Sequence, residues 1–269
     1  NGGTDTLVLA NDNNSFTVSD TETITGGTGN DTVTLGTAQT SGTVDLNGGT
    51  DTLVLFNDNN SFTVSDTETI TGGSGNDTIT LGSTQVSGTV IDLNGGTDSL
   101  TLAAGGNTLT VTNVETLVGG SGDDTVTFTG SNAGTLTLGG GADHITISGA
   151  TGVQTIVYSA TSDYGDDITG FTAGSGGDVI KVNVAMSRGT NADFEALATG
   201  GTVGANTAVV NYTTNITNYG AAADVATAMN TLTGLAAGNQ MLFAVGNGTH
   251  SRLWHWQDGT GGGSSDGTV

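Results

Sequence analysis

Short segments of alternating apolar and polar residues recur along the first half of the chain. The first 46 residues contain five of them, with starts roughly nine residues apart and with turns rich in Gly, Asn and Asp between them: Leu7-Val8-Leu9, Phe16-Thr17-Val18, Thr23-Ile24-Thr25, Val33-Thr34-Leu35 and Val44-Asp45-Leu46. Alternation with a period of two predicts short β-strands whose aliphatic residues face a core and whose threonines face outward. We therefore expect about five strand-and-turn units in this stretch.

These units belong to a longer repeat. Copies begin at Asn1, Asn47, Asn94 and Gly139, at intervals of 46, 47 and 45 residues, and the first 27 residues of the second copy are almost identical to those of the first. Self-similarity at such a period predicts a solenoid, in which each unit buries its apolar side only against its neighbours. If two units form one coil, five units make two and a half coils, and successive repeats begin on opposite sides of the solenoid. A three-faced solenoid with longer coils is the alternative.

Three of the copies contain a glycine-rich nonapeptide. It is GGTGNDTVT from Gly26, GGSGNDTIT from Gly72 and GGSGDDTVT from Gly119. Glycine permits positive φ and tight turns that expose backbone carbonyls, the aspartate adds an anionic oxygen, and the apolar residue after it begins a strand. The pattern G-G-x-G-x-D-x-U-x resembles the calcium-binding repeat of RTX (hemolysin-type) proteins. The resemblance implies an all-β fold, a parallel β-roll or β-helix solenoid, to which we add a small α+β C-terminal module.

The resemblance also implies where calcium ions bind. In a roll, Ca²⁺ lies between loops stacked on the same edge, which are two units apart, and Ca²⁺ prefers oxygen ligands. Counting units then pairs Asp31 with Asp51, and the equivalent residues of the later copies in the same way. The predicted ligands of several Ca²⁺ ions, in three pairs of loops, are Gly27, Gly29 and Asp31 with Gly49 and Asp51; Gly73, Gly75 and Asp77 with Gly96 and Asp98; and Gly120, Gly122 and Asp124 with Gly141 and Asp143.

The remaining acidic residues of the first two repeats are expected to be structural. Asp12 and Asp58 lie in N-D-N-N-S segments, which are typical of turns because Asn and Asp bond their own backbone. We expect Asp20, Glu22, Asp66 and Glu68 to be solvated residues at the edges of the solenoid.

The net charge of the chain limits the classes of partner that it can bind. Among 269 residues there are 26 acidic and three basic ones, a formal net charge of −23. Such a charge argues against nucleic acid and anionic membrane surfaces as partners and favours cations. Salt bridges to Lys181, Arg188 and Arg252 cannot neutralise the carboxylates, so metal ions are the natural substitute. No apolar run reaches the roughly 18 residues that a membrane span needs.

The repeat fades after residue 149, which gives three predicted regions: repeats over 1–149, a closing segment over 150–185 and a C-terminal module over 186–269. Residues 164–182 resemble the closing segment that follows RTX rolls in secreted proteases and surface-layer proteins. Four apolar residues are expected to cover the last coil there: Ile168, Phe171, Val179 and Ile180. Asp167 and Asp178 flank a Gly-rich turn and are candidates for another Ca²⁺ or for structural turn residues.

The C-terminal region lacks the repeat and has a different sequence pattern. We expect helices over 191–199 and 221–232, and strands over 209–212, 241–245 and 252–256, with the last two strands forming a hairpin. This region resembles the C-terminal domains of type I-secreted bacterial surface proteins. Residues 258–267 suit either an oxygen-rich cation loop or a glycine linker.

The sequence offers no catalytic motif in a suitable context. It contains no H-E-x-x-H, its one G-x-S-x-G match lies in the Gly- and Ser-rich segment 263–267 and not between a predicted strand and a helix, and His144, His250 and His255 are scattered. The carboxylates recur identically along the repeat, whereas an active site is usually one asymmetric constellation. We therefore expect a protein that is not an enzyme.

Together these features predict an extracellular calcium-dependent structural protein, such as a surface layer, adhesin or matrix filament. Its expected partners are calcium ions and, by self-assembly or adhesion, neighbouring surface proteins or polysaccharide. The resemblance implies type I secretion and a bacterial cell-surface location. One alternative is the secretion roll of a larger enzyme, a protease or lipase whose catalytic domain lies outside this chain. Another is a flat threonine array that binds ice or polysaccharide, although the half-coil offset between repeats argues against a continuous array.

Overall fold

The computed structural model describes residues 2–163, 165–172 and 177–182, together with four further strands over 193–197, 207–212, 240–246 and 251–257. Regular structure in these residues is almost entirely β, with one short 3₁₀ turn at Thr161–Asp163. The fold is a parallel β-solenoid, as the sequence predicts.

Two sheets form the solenoid, and consecutive strands alternate between them. One sheet, called the odd sheet, contains β1 (Thr6–Val8), β3 (Thr23–Thr25), β5 (Thr43–Asp45), β7 (Ser61–Ser65), β9 (Thr78–Leu81), β11 (Ser99–Thr101), β13 (Thr116–Val118), β15 (Gly134–Thr137), β17 (Gln154–Tyr158) and β19 (Val179–Val182). The other, called the even sheet, contains β2 (Ser15–Val18), β4 (Thr32–Leu35), β6 (Thr52–Val54), β8 (Thr69–Thr71), β10 (Thr89–Asp92), β12 (Thr108–Thr112), β14 (Thr125–Thr129), β16 (His144–Ile147) and β18 (Asp167–Thr169).

Each coil therefore consists of two strands, and every strand of β1–β19 pairs in parallel with the strand two places away. The first repeat begins with β1 in the odd sheet, the second with β6 in the even sheet and the third with β11 in the odd sheet. The predicted two-unit coil and half-coil offset are both confirmed, and the three-faced alternative is wrong.

The core lies between the two sheets and consists of stacked, mainly aliphatic side chains that point inward from each of them. In the odd sheet Ile24 pairs with Val44, which pairs with Val64. In the even sheet Val33 pairs with Leu53 in the same way. All five side chains are fully buried. Because the register stays in phase, each inward residue stacks on its equivalent in the next coil, and one slip would turn the whole column outward.

Close stacking of the loops explains the glycines of the nonapeptides. A Cβ on Gly27 would lie 2.8 Å from Asn11 Cα in the previous coil, and one on Gly29 would lie 2.6 Å from Asn13 N. Neither glycine has a positive φ, so the expectation that these loops need glycine for that reason is wrong. Positive φ occurs instead in the shortened loops, at Asn47 (61°) and Gly49 (149°).

The solenoid continues beyond residue 149. β17 pairs with β15, β18 with β16 and β19 with β17, all in parallel. Of the residues expected to cover the last coil, Ile168 is buried and Phe171 and Ile180 pack against the core, but Val179 is 45% exposed. Val179 points away from the core because it pairs with Thr155, an outward position of β17.

The described C-terminal strands extend the even sheet. They are β20 (Asp193–Leu197), β21 (Thr207–Tyr212), β22 (Gln240–Gly246) and β23 (Ser251–Gln257). β22 and β23 pair antiparallel, as predicted, and β23 pairs antiparallel with β18. The helix predicted over 191–199 is wrong for Asp193–Leu197, where parallel pairing with β21 overrides a weak local helix propensity. The expected helix over 221–232 and the loop over 258–267 lie outside the described residues.

Within the described part of the chain, no helix is long and apolar enough to cross a membrane.

Candidate cation-binding site

A carboxylate or amide residue stands immediately before most strands, and these residues stack from coil to coil. The backbone N–H of Asn14 donates to Oδ1 of Asp31 (2.9 Å), that of Asp31 to Oδ1 of Asp51 (2.7 Å), and that of Asp51 to Oε2 of Glu68 (2.7 Å). We call such a series a ladder. Ladder 1 lies where the chain enters strands β2, β4, β6 and β8 of the even sheet.

Two further ladders repeat this arrangement. Ladder 2 enters the odd sheet and contains Gln39, Asn60, Asp77, Asp98 and Glu115, joined by hydrogen bonds of 3.1, 2.9, 2.7 and 2.7 Å. Ladder 3 enters the even sheet and contains Gln85, Asn107, Asp124, Asp143 and Asp166, joined by bonds of 3.1, 2.8, 2.8 and 3.0 Å. The ladders change sheets because equivalent residues of successive repeats are offset by half a coil.

The three predicted aspartate pairs are neighbours in these ladders. Asp31 and Asp51 are adjacent in ladder 1, Asp77 and Asp98 in ladder 2, and Asp124 and Asp143 in ladder 3. The glycines assigned to the same sites also converge. A Cβ on Gly49 would lie 3.1 Å from Oδ1 of Asp51 and would collide with the carbonyl of Gly29. The equivalent glycines Gly75 with Gly96 and Gly122 with Gly141 approach in the same way.

Amide members of a ladder are internally satisfied. The Nδ2 group of Asn60 donates to Oδ1 of Asp77 (2.8 Å) and to the carbonyl oxygens of Phe56 (2.9 Å) and Asp58 (2.6 Å). Asn107 does the same with Asp124 and the carbonyls of its own turn. The amide therefore closes its own turn while its oxygen accepts from the coil before.

The carboxylate members differ: Oδ2 of Asp31 accepts the N–H of Gly27 at 3.4 Å, but five other aspartates lack such a partner. Their first oxygen accepts the neighbouring N–H, but the second oxygen, Oδ2, is buried without a hydrogen-bond partner at Asp51, Asp77, Asp98, Asp124 and Asp143. A buried oxygen that loses water and gains no partner costs about 1–3 kcal/mol, and more when it is charged. None of the three basic residues of the chain lies within the repeats. A proton, a cation or an ordered water is therefore needed to compensate these oxygens.

The electrostatics of the ladders agree with this conclusion. Burial raises the pKa of Asp98 to about 6, against the lowering effect of the Asp77 N–H, and the charges of Asp77 and Glu115 raise it further. Burial likewise raises the pKa of Asp143 to about 6. The pKa of Asp166 rises to about 7 through burial and then through the charge of Asp143. Burial also raises the pKa values of Asp51 and Asp124.

The chemical type of the ladder ligands suits Ca²⁺, but the ligands are arranged in a line along the solenoid and not around one point. All the groups are oxygens, as this ion prefers. The carbonyls of Gly27 and Gly73 each accept one hydrogen bond from the next coil, at 3.1 Å, which leaves each a second lone pair. However, no group of three or more His, Cys, Asp or Glu side chains gathers as a metal site among the described residues. Each coil contributes one carboxylate to a column, so any ion would have to share carboxylates between coils and take carbonyl or water oxygens as well.

The structure does not bring Asp167 and Asp178 together. Asp167 begins β18 in the even sheet, where its Oδ2 lies 3.4 Å from Nδ1 of His144. Asp178 precedes β19 in the odd sheet. Its Oδ1 accepts from the N–H of Gln154 and its Oδ2 from that of Thr172, both at 2.8 Å. Oδ1 of Asp178 therefore bonds to the preceding coil and Oδ2 closes its own turn, so both oxygens are occupied.

Several ladder residues are not identified by the sequence reasoning. Glu22 and Glu68, expected to be solvated, are half-buried and accept the N–H groups of Asp5 and Asp51 at 2.7 Å, and the sequence reasoning misses these hydrogen bonds. The amide residues and Asp166 are missed altogether. The signal that could identify them is a polar residue directly before the Ser or Thr that begins a strand, as in Asn14-Ser15 and Glu68-Thr69. Asp12 and Asp58 are exposed turn residues, as expected.

Comparisons of the chain with protein-family models, with curated proteins and with solved structures returned no match.

Proposed function

We propose that this chain is an extracellular structural protein whose folding is coupled to Ca²⁺ binding along its aspartate ladders. The observation that carries the proposal is the row of buried, unpartnered Oδ2 atoms, of which Asp77 and Asp98 form one adjacent pair. The nonapeptide resemblance to RTX repeats supports the choice of calcium. A surface layer, adhesin or matrix filament is the class of protein that such a solenoid serves.

The coupling of folding to Ca²⁺ binding follows from the negative charge of the ladder carboxylates. Without cations, the carboxylates repel one another and lose water on folding, and the glycine-rich loops lose much conformational entropy. Sites of the extracellular type bind Ca²⁺ with dissociation constants of about 10⁻⁴–10⁻³ M. The chain would stay unfolded in the cytosol, where free Ca²⁺ is low, and fold outside the cell, because the binding free energy becomes folding free energy.

The groups that would hold the ions are the ladder aspartates and the loop carbonyls beside them. In ladder 1 these are Asp31 and Asp51 with the carbonyls of Gly27, Gly29 and Gly49, and the later pairs use equivalent groups. Ca²⁺ would supply positive charge to oxygens that the protein leaves uncompensated. Because the same groups recur along the solenoid, we propose a structural role for the ions and no catalytic one. Partners would be further copies, neighbouring surface proteins or polysaccharide.

Far-UV circular dichroism with a calcium titration tests the proposal. We expect a disordered spectrum in chelator and a β spectrum after adding Ca²⁺. Equimolar Mg²⁺ should fail, because it demands octahedral geometry and sheds water reluctantly. Asp77→Ala should lower the ion stoichiometry measured by calorimetry, whereas Asp12→Ala, in an exposed turn, should not. A full β spectrum in metal-free buffer, unchanged by Ca²⁺, would refute the coupling.

A further inference from the structure

The outward residues of both sheets form columns that are mostly threonine, with a break at Val118 in the odd sheet and at Val90 in the even sheet. In the odd sheet one column pairs Thr6, Thr23, Thr43, Thr63, Thr80 and Thr101 in consecutive coils. In the even sheet one column is interrupted only by Val90 and contains Ser15, Thr32, Thr52, Thr69, Thr110, Thr127 and Thr146. It ends at Thr169, whose Oγ1 is buried. The half-coil offset is expected to break such an array. It does not, because strands of both sheets carry the same Thr-x-Thr pattern.

A second hydroxyl column lies beside the first in each sheet. In the odd sheet it contains Ser61, Thr78, Ser99, Thr116, Thr135 and Thr155. In the even sheet Thr17 and Thr34 begin a second column, and Thr112 and Thr129 continue it after interruptions at Val54 and Asp92. Each face is thus a two-dimensional lattice, with about 4.8 Å between coils and about 6.6 Å between alternate residues of a strand.

Charge is nearly absent from these faces although the chain is strongly acidic. Within strands β1–β19 the only acidic residues are Asp45, Asp92 and Asp167, and the remaining acids lie in turns and ladders. The hydroxyls of Thr63 and Thr80 make no hydrogen bond to the protein, in keeping with most of the described array. The faces therefore offer regularly spaced free hydroxyls and methyls without the tightly held hydration shells of charged groups.

The regularly spaced hydroxyls of each face are complementary to a ligand whose own surface groups repeat at similar distances. Polysaccharide is the less suitable ligand, since binding sites for organic molecules are commonly lined by aromatic and apolar side chains. No Phe, Tyr or Trp occupies an outward position of β1–β19, because Phe16, Phe62, Phe128 and Tyr158 all face the core. The spacing of about 4.8 Å between coils is close to the shorter oxygen repeat on a prism plane of hexagonal ice, and threonine offers such a surface both a hydroxyl and a methyl group.

We infer that the two threonine faces bind ice. This inference rests on the register of the outward residues and is independent of any calcium site. Two faces on opposite sides of one solenoid allow each to engage a crystal separately. Since binding by either face suffices for capture, the test must alter both.

Uptake of labelled protein into a slowly growing ice hemisphere tests the inference, in calcium-containing buffer. An odd-face variant replaces Thr63, Thr80 and Thr101 by Lys, an even-face variant replaces Thr32, Thr52 and Thr69 by Lys, and a third variant combines all six changes. A control of equal charge replaces six exposed turn residues outside the proposed calcium-binding loops by Lys: Thr4, Thr40, Ser41, Thr84, Ser87 and Thr151. Circular dichroism of each variant verifies the solenoid, so that a loss of uptake reports on the faces.

We expect the native protein and the turn control to enter the ice, each single-face variant to retain uptake through its other face, and the combined variant to be excluded. Exclusion of the native protein from ice would overturn the inference. It would also be overturned if the native protein instead bound insoluble cellulose or chitin in sedimentation assays, or if the combined variant entered the ice as well as the turn control does.

Discussion

Asp77 donates its backbone N–H to Oδ1 of Asp98 at 2.7 Å while its own Oδ1 accepts the N–H of Asn60 at 2.9 Å. Each ladder residue therefore links the coil before to the coil after through one oxygen and one N–H. The second oxygen, Oδ2 of Asp77, remains buried and unpartnered. Because these second oxygens are buried without a partner, we predict that the ladder carboxylates lower the stability of the metal-free solenoid.

Asp77→Asn should stabilise the metal-free protein. The Asn side chain keeps the accepting oxygen and replaces the orphaned one by an NH₂ group, which can donate to turn carbonyls as that of Asn60 does. We expect a gain of about 1 kcal/mol in the free energy of unfolding, measured by urea denaturation at acidic pH in chelator. Asp12→Asn in an exposed turn is the matched control and should change little. A less stable Asp77→Asn protein would show that the buried oxygen is already compensated.

Stability without metal should fall as pH rises from about 4 to about 7. In the unfolded chain the ladder aspartates ionise near their ordinary pKa of 3.8, whereas in the folded protein the pKa is about 6 at Asp98 and Asp143 and about 7 at Asp166. In this window the folded state binds more protons than the unfolded state, so the free energy of unfolding decreases with pH. This stabilisation is fully present below the pKa of the unfolded state, and it is lost as the pH rises through the pKa of the folded state.

Because the metal-free chain is expected to be disordered near neutral pH, the β signal in far-UV circular dichroism, followed in chelator across this pH range, measures the effect. Because Ca²⁺ competes with the protons, its affinity should rise over the same range if the proposed function is right. A metal-free protein that became more stable from about pH 5 to about pH 7 would contradict the raised pKa values.

Phe62→Ala should cost more than Phe16→Ala, although the two residues occupy the same position of nearly identical repeats. Phe62 is 6% exposed between β5 and β9, whereas Phe16 is half-buried because β2 pairs with β4 alone. We expect a loss of about 3–5 kcal/mol for Phe62→Ala and clearly less for Phe16→Ala. Calcium-saturated denaturation curves would measure both. Equal losses would mean that packing between coils does not determine the cost.

Gly73→Ala should destabilise the solenoid, and Gly95→Ala should not. A Cβ on Gly73 would lie 2.5 Å from the carbonyl oxygen of Phe56 and 2.7 Å from Asn57 Cα in the neighbouring coil. Gly95 faces open space and has no positive φ, so alanine fits there. Overpacking typically costs about 1–3 kcal/mol, which a shift in the thermal midpoint would reveal. If both variants melted alike, close loop stacking would not be the reason for glycine at position 73.

Local and periodic features were accessible from the sequence. The alternation in Thr23-Ile24-Thr25 predicts a strand with those bounds, and the 46-residue interval with five units predicts both the two-strand coil and the half-coil offset. From the same count followed the adjacency of Asp31 and Asp51. These predictions succeed because the strand pattern is local and the repeat period can be counted along the chain. In a solenoid of two sheets, that count alone determines which strands become neighbours.

The sequence by itself determined the strands, the coil, the aspartate pairs and the outward threonines. Only the tertiary structure decided that Glu68 accepts a ladder hydrogen bond, that Asn60 satisfies its own turn, that Oδ2 of Asp98 has no partner and that Asp193–Leu197 is a strand. The reason is distance along the chain. Ladder partners lie 17 to 23 residues apart, and the number of partners an oxygen finds depends on how the coils stack against each other.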